Sequence, residues 1–506
     1  MRNILYSWSS LLIAIMSHHS VGEALSYDVV IIGGGSAGIT AAKLIGTTLQ
    51  KSVALIEKER MGGDCTWTGC IPSKSLLAVA KEIHAARKWG FVTTTTVDWP
   101  AIRTQIQANI QHIYDEDDSP EAMQRYGVEI ISGKALLSPS GNKTVQVTKS
   151  DGSSVTLTAK KGIILCTGAT ARIPTDHIVG LNEVPFVTTE SIWSLPTLPQ
   201  RLTVVGGGPV GCELAQAFAR LGSQVTLIAP TLLPTEDPQV SLTLQQVFES
   251  EGIQIIQGRA VAASMSSGSS SQHTIQVQTN DGSSTESVVG DTLLLALGRV
   301  PRVEGLEEAG IRLNAKGGIE VNKKLQTSVK HVYAAGDCTG DRQFTHYAGF
   351  QGAIAARNIL LPLTDPGVLD HVPSTTFTSP EVASIGMSEA QATATYGADQ
   401  ITIVQKEMKH VDRAICEGAT DGFLKIVLRK KNQQILGATI VGPTAGELIG
   451  EIAVAMAAKL PFDQLTTVMH PYPTFGLSLQ LMASEVYYAK LQKNLPLYGA
   501  LTKIGL

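Results

Sequence analysis

Two short glycine-rich turns constrain this chain more than any other feature. The first is Gly33, Gly35 and Gly38 in "YDVVIIGGGSAGITAAKLIG", between an apolar run and a helix-forming stretch. The second, Gly206, Gly208 and Gly211 in "RLTVVGGGPVGCELAQAFARLG", repeats it 173 residues later. In each G-x-G-x-x-G the first glycine allows a tight strand-to-helix turn. The second lets a diphosphate approach the backbone, and the third lets the helix lie close on the strand. The N–H groups at the helix start then offer donors and positive potential to that diphosphate. The strand after the first turn, "SVALIEK", ends in Glu57, placed to accept hydrogen bonds from a ribose diol. The strand after the second, "QVTLIAP", ends in Ala229-Pro230 with no carboxylate. That removes a repulsion against a 2′-phosphate, although no Arg follows at once to clamp one. The first turn therefore reads as a dinucleotide site, and the second as a site favouring NADPH over NADH.

With 506 residues the chain has room for two to four domains, and the turns mark a duplicated α/β fold rather than a short-period repeat. A net charge of −4 argues against nucleic-acid or anionic-membrane binding. Residues 75–125 read as helical. "GVEIISGKALL" and "TVQVTKSDGSSVTLTAKKGIILCTGA" read as a β-meander, and "ASMSSGSSSQ" as a flexible hairpin loop. "HVYAAGDCTG" and the helix after it return to the style of the first unit, and β-rich segments from about Val372 suggest a third domain. The first 25 residues, with Arg2, an apolar stretch to Met16 and small residues at Gly22 and Ala24, have the three regions of a signal peptide. This reading sends the chain to the secretory route or an organelle, and a cytoplasmic location follows if the leader does not act. The apolar stretch is short for a membrane span, and none of that length occurs elsewhere.

The six cysteines are too few for a disulfide-built scaffold, yet Cys65 and Cys70 stand close together in "GGDCTWTGCIPSK". Five positions of a regular helix turn about 500°, which puts the two side chains about 140° apart and too far apart to bridge. A disulfide here needs a distorted turn, which Gly62, Gly63 and Gly69 make cheap. Pro72 suits the first turn of a helix continuing through "SKSLLAVAKEIHAA", with Leu76, Val79, Ala80 and Ile83 on one face. Cys70 would then sit near a helix N-terminus, where a thiolate is favoured. Metal ligation lacks a second ligand pair, so no metal site is expected. A structural disulfide and a redox disulfide both stay open on spacing alone.

The chain resembles the class I flavoprotein disulfide reductases, which include glutathione reductase, lipoamide dehydrogenase and mercuric reductase. The resemblance runs from about Tyr27 to about Val486. "GGDCTWTGCIPSK" looks like the family's redox-disulfide signature, and "ILCTGA", "LLALGRVPR", "YAAGDCT", "FTSPEVASIG" and "GELIGE" follow in the family's order. "ELAQAFARLGSQVTL", "EDPQV" and "AAGDCTGDRQFTH" are most similar to the mercuric reductase branch. The resemblance implies two Rossmann-like three-layer domains and an α+β dimerisation domain. An FAD-binding domain would span 26–172 and 300–371, an NAD(P)-binding domain 173–299, a dimerisation domain 372–490 and a tail 491–506. FAD would be held by Gly33, Gly35, Gly38, Glu57, the backbone near Ala135, Thr167 and Gly168, and Asp337. Gly298 would lie near the nicotinamide. Hydride would pass through FAD to a Cys65–Cys70 disulfide, with Cys70 the flavin-side thiolate and Cys65 the exchange thiol. Lys74 would lie by the flavin, paired with Glu213. A homodimer would share its active sites between subunits.

One family feature is altered. Where disulfide-reducing members carry His-Pro-Thr and then Glu, this chain has "MHPYPTFGLSLQ", with Tyr472 at the histidine place and Leu477 at the glutamate place. Tyrosine, titrating near 10, is a poor base at neutral pH. His470, two residues upstream, is the candidate substitute. Tyrosine here also resembles the mercuric reductase branch, and a soft metal ion needs thiolates more than a proton shuttle. The tail, however, lacks the vicinal cysteines of that branch, with no cysteine after Cys416. The expected function is an FAD-dependent NAD(P)H oxidoreductase acting on a small disulfide or a metal ion. The alternatives are a dihydrolipoyl dehydrogenase or glutathione reductase type of disulfide reductase, and a low-turnover flavin redox sensor or assembly protein.

Overall fold

The computed structural model describes residues 25–90, 96–138, 142–266 and 272–503. The expected leader lies outside these residues, as do positions 267–271 of the Ser-rich loop. The first unit opens with Leu25–Ile32, whose Val29, Val30 and Ile31 are fully buried. A strand covered on both faces reads as a continuous apolar run, as "VVII" does. It lies at the centre of a seven-stranded sheet, parallel to Val53–Glu57 on one side and to Ser154–Leu165 on the other. Val128–Ser132 adds in parallel beyond Val53–Glu57, and Val332–Ala334 beside Ser154–Leu165. The expected meander is corrected here. Only Lys134–Leu137, Thr144–Thr148 and Ser154–Leu165 run antiparallel in sequence, while Val128–Ser132 is a parallel strand of the nucleotide-binding sheet. The helices Ser36–Gly46 and Thr345–Leu360 cross closely on this sheet; a Cβ at Gly352 would fall 2.1 Å from the Ala37 carbonyl oxygen.

The second unit repeats the core. Arg201–Val205 lies between parallel Gln224–Ala229 and Thr292–Leu295, with Gln254–Met265 beyond. Gln254–Met265 and His273–Thr279 form an antiparallel hairpin around the Ser-rich loop. Ala169–Ala171 and Arg299–Pro301 pair antiparallel where the chain leaves and re-enters the first unit. The helical region includes Cys70–Lys88, Trp99–Ile113, a π-helical turn at Tyr114–Asp118, and Pro120–Gln124. The last unit is a five-stranded antiparallel sheet with helix Ala445–Ala457 laid on it. Its closing helix, Leu477–Lys503, runs without a break across the 490/491 boundary expected from the sequence. Among the described residues no helix is long and apolar enough to cross a membrane.

Candidate active site

The two glycine turns are built alike. Gly33 (φ +109°) and Gly206 (φ +122°) lie so close to the neighbouring strand that a Cβ would fall 2.1 Å from the Cys166 oxygen and 2.2 Å from the Ala296 oxygen. A Cβ at Gly38 or Gly211 would fall 2.0 Å from the carbonyl oxygen of its own turn's first glycine. Side chains are thus excluded where helix meets strand. At the middle glycines the space is open: a Cβ at Gly208 would meet nothing within 4 Å, and one at Gly35 only Gly63 Cα at 3.9 Å. Gly35 and Gly208 are also the N-caps of helices Ser36–Gly46 and Pro209–Leu221, and no side chain caps either one. Uncapped helix N–H groups facing open space fit the diphosphates of FAD and of a nicotinamide dinucleotide.

Glu57 closes the first turn. Its carboxylate accepts the N–H groups of Gly34 and Glu59, each at 2.7 Å. The equivalent place in the second unit is Ala229, whose Cβ lies 2.7 Å from where a Gly207 Cβ would be. Ala135 lies in Lys134–Leu137 opposite Val147, and the N–H of nearby Gly133 donates to the Glu57 carbonyl. Thr167 and Gly168 follow the strand Ser154–Leu165; Thr167 donates to the Arg302 carbonyl at 2.7 Å, and Gly168 accepts the Arg302 N–H at 3.0 Å. Gly298 adopts φ +93° with open space beside it, and its carbonyl accepts the Arg172 N–H.

The cysteine segment is a broken helix. Gly62 (φ +97°) and Gly63 (φ +59°) lead into a single turn, Gly63–Trp67, which carries Cys65. The chain breaks at Thr68-Gly69 and restarts as Cys70–Lys88, with Cys70 first and Pro72 in the first turn. A side chain at Gly69 would press within 2.9 Å of the Asp64 oxygen, so glycine is what allows the break. Leu76 and Ala80 are buried, and Val79 and Ile83 pack beside the same core. The break sets the two thiols near each other, and their protonation diverges. Cys70 is pulled down: the Cys65 thiol favours its charge, and the Thr345 hydroxyl and Lys74 ammonium add to this against burial and Glu213. Cys65 is pushed far up, because its proton is shared with Cys70, burial disfavours its charge, and the Cys70 charge repels a second one.

Lys74, one turn along the same helix, places Nζ 2.8 Å from Glu213 Oε2. The Glu213 side chain is only 4% exposed, and its other oxygen accepts the Phe377 N–H at 2.9 Å. Lys74 also lies 4.4 Å from the Phe377 ring centre. Three units therefore meet at this one ion pair. Asp337 lies nearby on the other wall; burial pushes its carboxyl up while Arg299, with Nε 3.6 Å away, works against the shift. Arg299 pairs with Asp64, next to Cys65, and donates to the Ala169 carbonyl at 2.8 Å. Its buried Nε has no hydrogen-bond partner among the described residues, with the Asp337 carboxylate just beyond that distance.

Tyr472 and His470 stand apart from these groups. Tyr472 is 70% exposed and donates to Asp412 at 3.1 Å, which raises its phenol further. His470 Nε2 lies 3.0 Å from Glu451, and Nδ1 lies 2.8 Å from the Val468 carbonyl. Burial opposes its charge, but these acceptors outweigh it and raise its pKa. Neither residue has a contact with Cys65, Cys70, Lys74 or Glu213 among the described residues of one chain. Cys166, Cys212 and Cys338 are buried with thiols pushed up by burial, while Cys416 is exposed. No cluster of three or more metal-ligating side chains occurs among the described residues. Sequence reasoning missed Asp64, Arg299, Thr345 and Phe377. All four lie within motif segments quoted above, which marked the segments by resemblance without giving these residues a role.

Residues 27–352 match the family model for pyridine nucleotide-disulphide oxidoreductases, and residues 372–483 match that family's dimerisation domain. The chain is 34% identical to a mercuric reductase of Staphylococcus aureus, across 90% of this chain and 82% of the relative. It is 33% identical to a dihydrolipoyl dehydrogenase of Chlamydia pneumoniae, across 89% and 95%. Among solved structures it is similar to LpdA from Mycobacterium tuberculosis, with TM-score 0.80, 28% identity, and 92% and 100% of the two chains covered. It is also similar to the HOCl-induced flavoprotein disulfide reductase RclA from Escherichia coli in its Cu(II) complex, with TM-score 0.77, 28% identity, and 91% and 99% coverage. The dimerisation domain supports a homodimer, and the family supports FAD as the resident cofactor. The chain therefore belongs to the class I pyridine nucleotide-disulphide oxidoreductases, enzymes acting on a sulfur group.

Proposed function

We propose that this protein uses NADPH to reduce a Cys65–Cys70 disulfide and passes the electrons to a small soft acceptor, a metal ion or a metal thiolate, without histidine-assisted exchange. The observation that carries the reading is Tyr472 at the histidine place, its hydroxyl donating to Asp412 at 3.1 Å. Bound FAD would supply the two-electron relay between nucleotide and cysteines, held by Gly33, Gly35, Gly38 and Glu57, the backbone near Ala135, Thr167 and Gly168, and Asp337. Gly206, Gly208, Gly211 and Gly298 would hold the nucleotide, and Ala229 in place of a carboxylate supports NADPH. Lys74 keeps a positive charge near Cys70, and the buried Glu213 carboxylate fixes its position. Cys65 keeps its proton and is the thiol free to meet an acceptor. Tyr472, raised and tied to Asp412, does not remove that proton at neutral pH. Two thiols can bind a soft metal ion and release their protons as they do so, so this acceptor needs no resident base.

The competing reading is a disulfide reductase of the dihydrolipoyl or glutathione type, and His470 favours it. Its ring is held by Glu451, which suits a proton carrier if the partner subunit presents it to the cysteines. Oxidation of NADPH and NADH by the purified dimer, with Hg(II), Cu(II), oxidised glutathione and lipoamide as acceptors, separates the two. The metal ions should be reduced at least tenfold faster than the disulfides, and Cys70→Ser should abolish every activity. Fast lipoamide turnover that His470→Ala removes would overturn the first reading in favour of the second.

A further inference from the structure

We propose that Trp193 is a positioning residue that keeps the break between the two cysteines in place and so sets how readily they form their disulfide. The inference rests on the proposed redox role of the pair and adds a residue from outside the cysteine segment. In a continuous helix the Thr68 carbonyl would accept the N–H four residues on, but that residue is Pro72, which has none. The oxygen is met from elsewhere. The Trp193 indole N–H donates to it at 2.8 Å, across 125 positions of sequence, and to the Thr189 carbonyl at 3.0 Å. The Trp193 ring is buried in the core that also holds Leu76, Ala80 and Trp99.

The indole comes from a strap anchored in the second unit. Val187–Thr188 pairs in parallel with Thr292–Leu295 of the second sheet. Glu190 then accepts the Ala171 N–H at 2.9 Å, on the strand where the chain leaves the first unit, and Trp193 reaches the break. The rest of the cysteine turn is tied within the first unit. Thr66 donates to Asp118 at 2.6 Å, and the Trp67 indole donates to the Met61 carbonyl at 2.7 Å. The bond at Thr68 therefore joins the break to the unit that would hold the nucleotide. A disulfide needs the distorted turn, because a regular helix points the two side chains about 140° apart, whereas a dithiol does not. A tether that favours the distorted turn thus favours the disulfide over the dithiol.

The test equilibrates the flavin-bound holoprotein, without oxygen, in mixtures of reduced and oxidised dithiothreitol. Acid and an alkylating agent stop the exchange, and the free thiols are counted by mass. Reduced dithiothreitol gives two electrons and two protons to the Cys65–Cys70 disulfide and itself becomes the cyclic disulfide. Trp193→Phe keeps a ring in the core and removes the N–H. It should shift the equilibrium about tenfold towards the dithiol, a rise of about 30 mV in midpoint potential. Pro72→Ala reaches the same break without touching Trp193. By letting the helix run on it should shift the equilibrium the same way, with Trp193→Phe adding less in that background than alone. Trp99→Phe removes another indole bond in the same core, to the Leu195 carbonyl at 3.0 Å, and should leave the equilibrium unchanged. An equilibrium unmoved by Trp193→Phe, or moved as far by Trp99→Phe, would overturn the role of Trp193 alone. Should Trp193→Phe lose its flavin, Pro72→Ala decides, and an unmoved equilibrium there overturns the proposal. A parent whose thiol count ignores the dithiothreitol ratio would overturn the redox reading itself, and the role of Trp193 with it.

Discussion

The two glycine turns share one backbone and differ at one side chain. Gly33 and Gly206 donate N–H at 2.9 Å to the carbonyls of Ile56 and Ile228, and the third glycines make the same 2.0 Å approach. One residue later the units part, with Glu57 in the first and Ala229 in the second. The shared backbone makes each turn a diphosphate cradle by steric exclusion, which any dinucleotide satisfies. Discrimination is left to the end of the next strand, where a carboxylate accepts from a diol or repels a phosphate. The duplication thus fixes what the two sites have in common, and one side chain sets them apart.

The strongest way to break the comparison is at the third glycines. Gly38→Ala and Gly211→Ala should each cost about 3 kcal/mol, because backbone must move to admit the methyl group. The first should lose flavin during gel filtration. The second should keep flavin and show a KM for NADPH raised about a hundredfold. Equal retention of both cofactors would show that the turns are not equivalent cradles. Ala229→Glu sharpens the comparison by giving the second turn the side chain of the first. The ratio of kcat/KM for NADPH over NADH should fall about tenfold, the effect of adding one unfavourable charge contact. An unchanged ratio would place discrimination elsewhere.

The smallest effect lies at His470, outside both turns, and marks where the comparison stops. Glu451 and the Val468 carbonyl outweigh burial and raise its pKa in the folded chain. A raised histidine contributes stability that is complete below its unfolded value near 6.5 and fades as pH rises through the folded value. His470→Gln should therefore lower the melting temperature at about pH 6 by about 2 °C, and by less at about pH 8.5. A deficit that grows with pH would reverse the assignment.

Local chemistry was legible in the sequence. The glycine turns, Glu57, the broken cysteine helix and Pro72 in its first turn follow from short-range sterics that neighbouring residues dictate. The parallel placement of Val128–Ser132 was not legible, because apolar alternation shows that a strand has a buried face without saying which strand lies beside it. The contact of Lys74 with Glu213 spans 139 positions, and it was reached through resemblance rather than spacing. The surroundings of Tyr472 show a further limit: the motif locates it, yet within one chain it lies against Asp412 and away from the cysteines.

The sequence by itself determined where the backbone must turn, where side chains are excluded, and that two cysteines stand five positions apart across a glycine-softened break. The helix start and the resemblance already pointed to Cys70 as the thiolate, and only the tertiary structure showed which distant groups act on the pair. The field at each sulfur is the sum of a helix start, a hydroxyl 275 residues away, and an ion pair joining two units. Steric rules act between neighbours in sequence, whereas electrostatic ones act between neighbours in space, and only the folded chain brings those together.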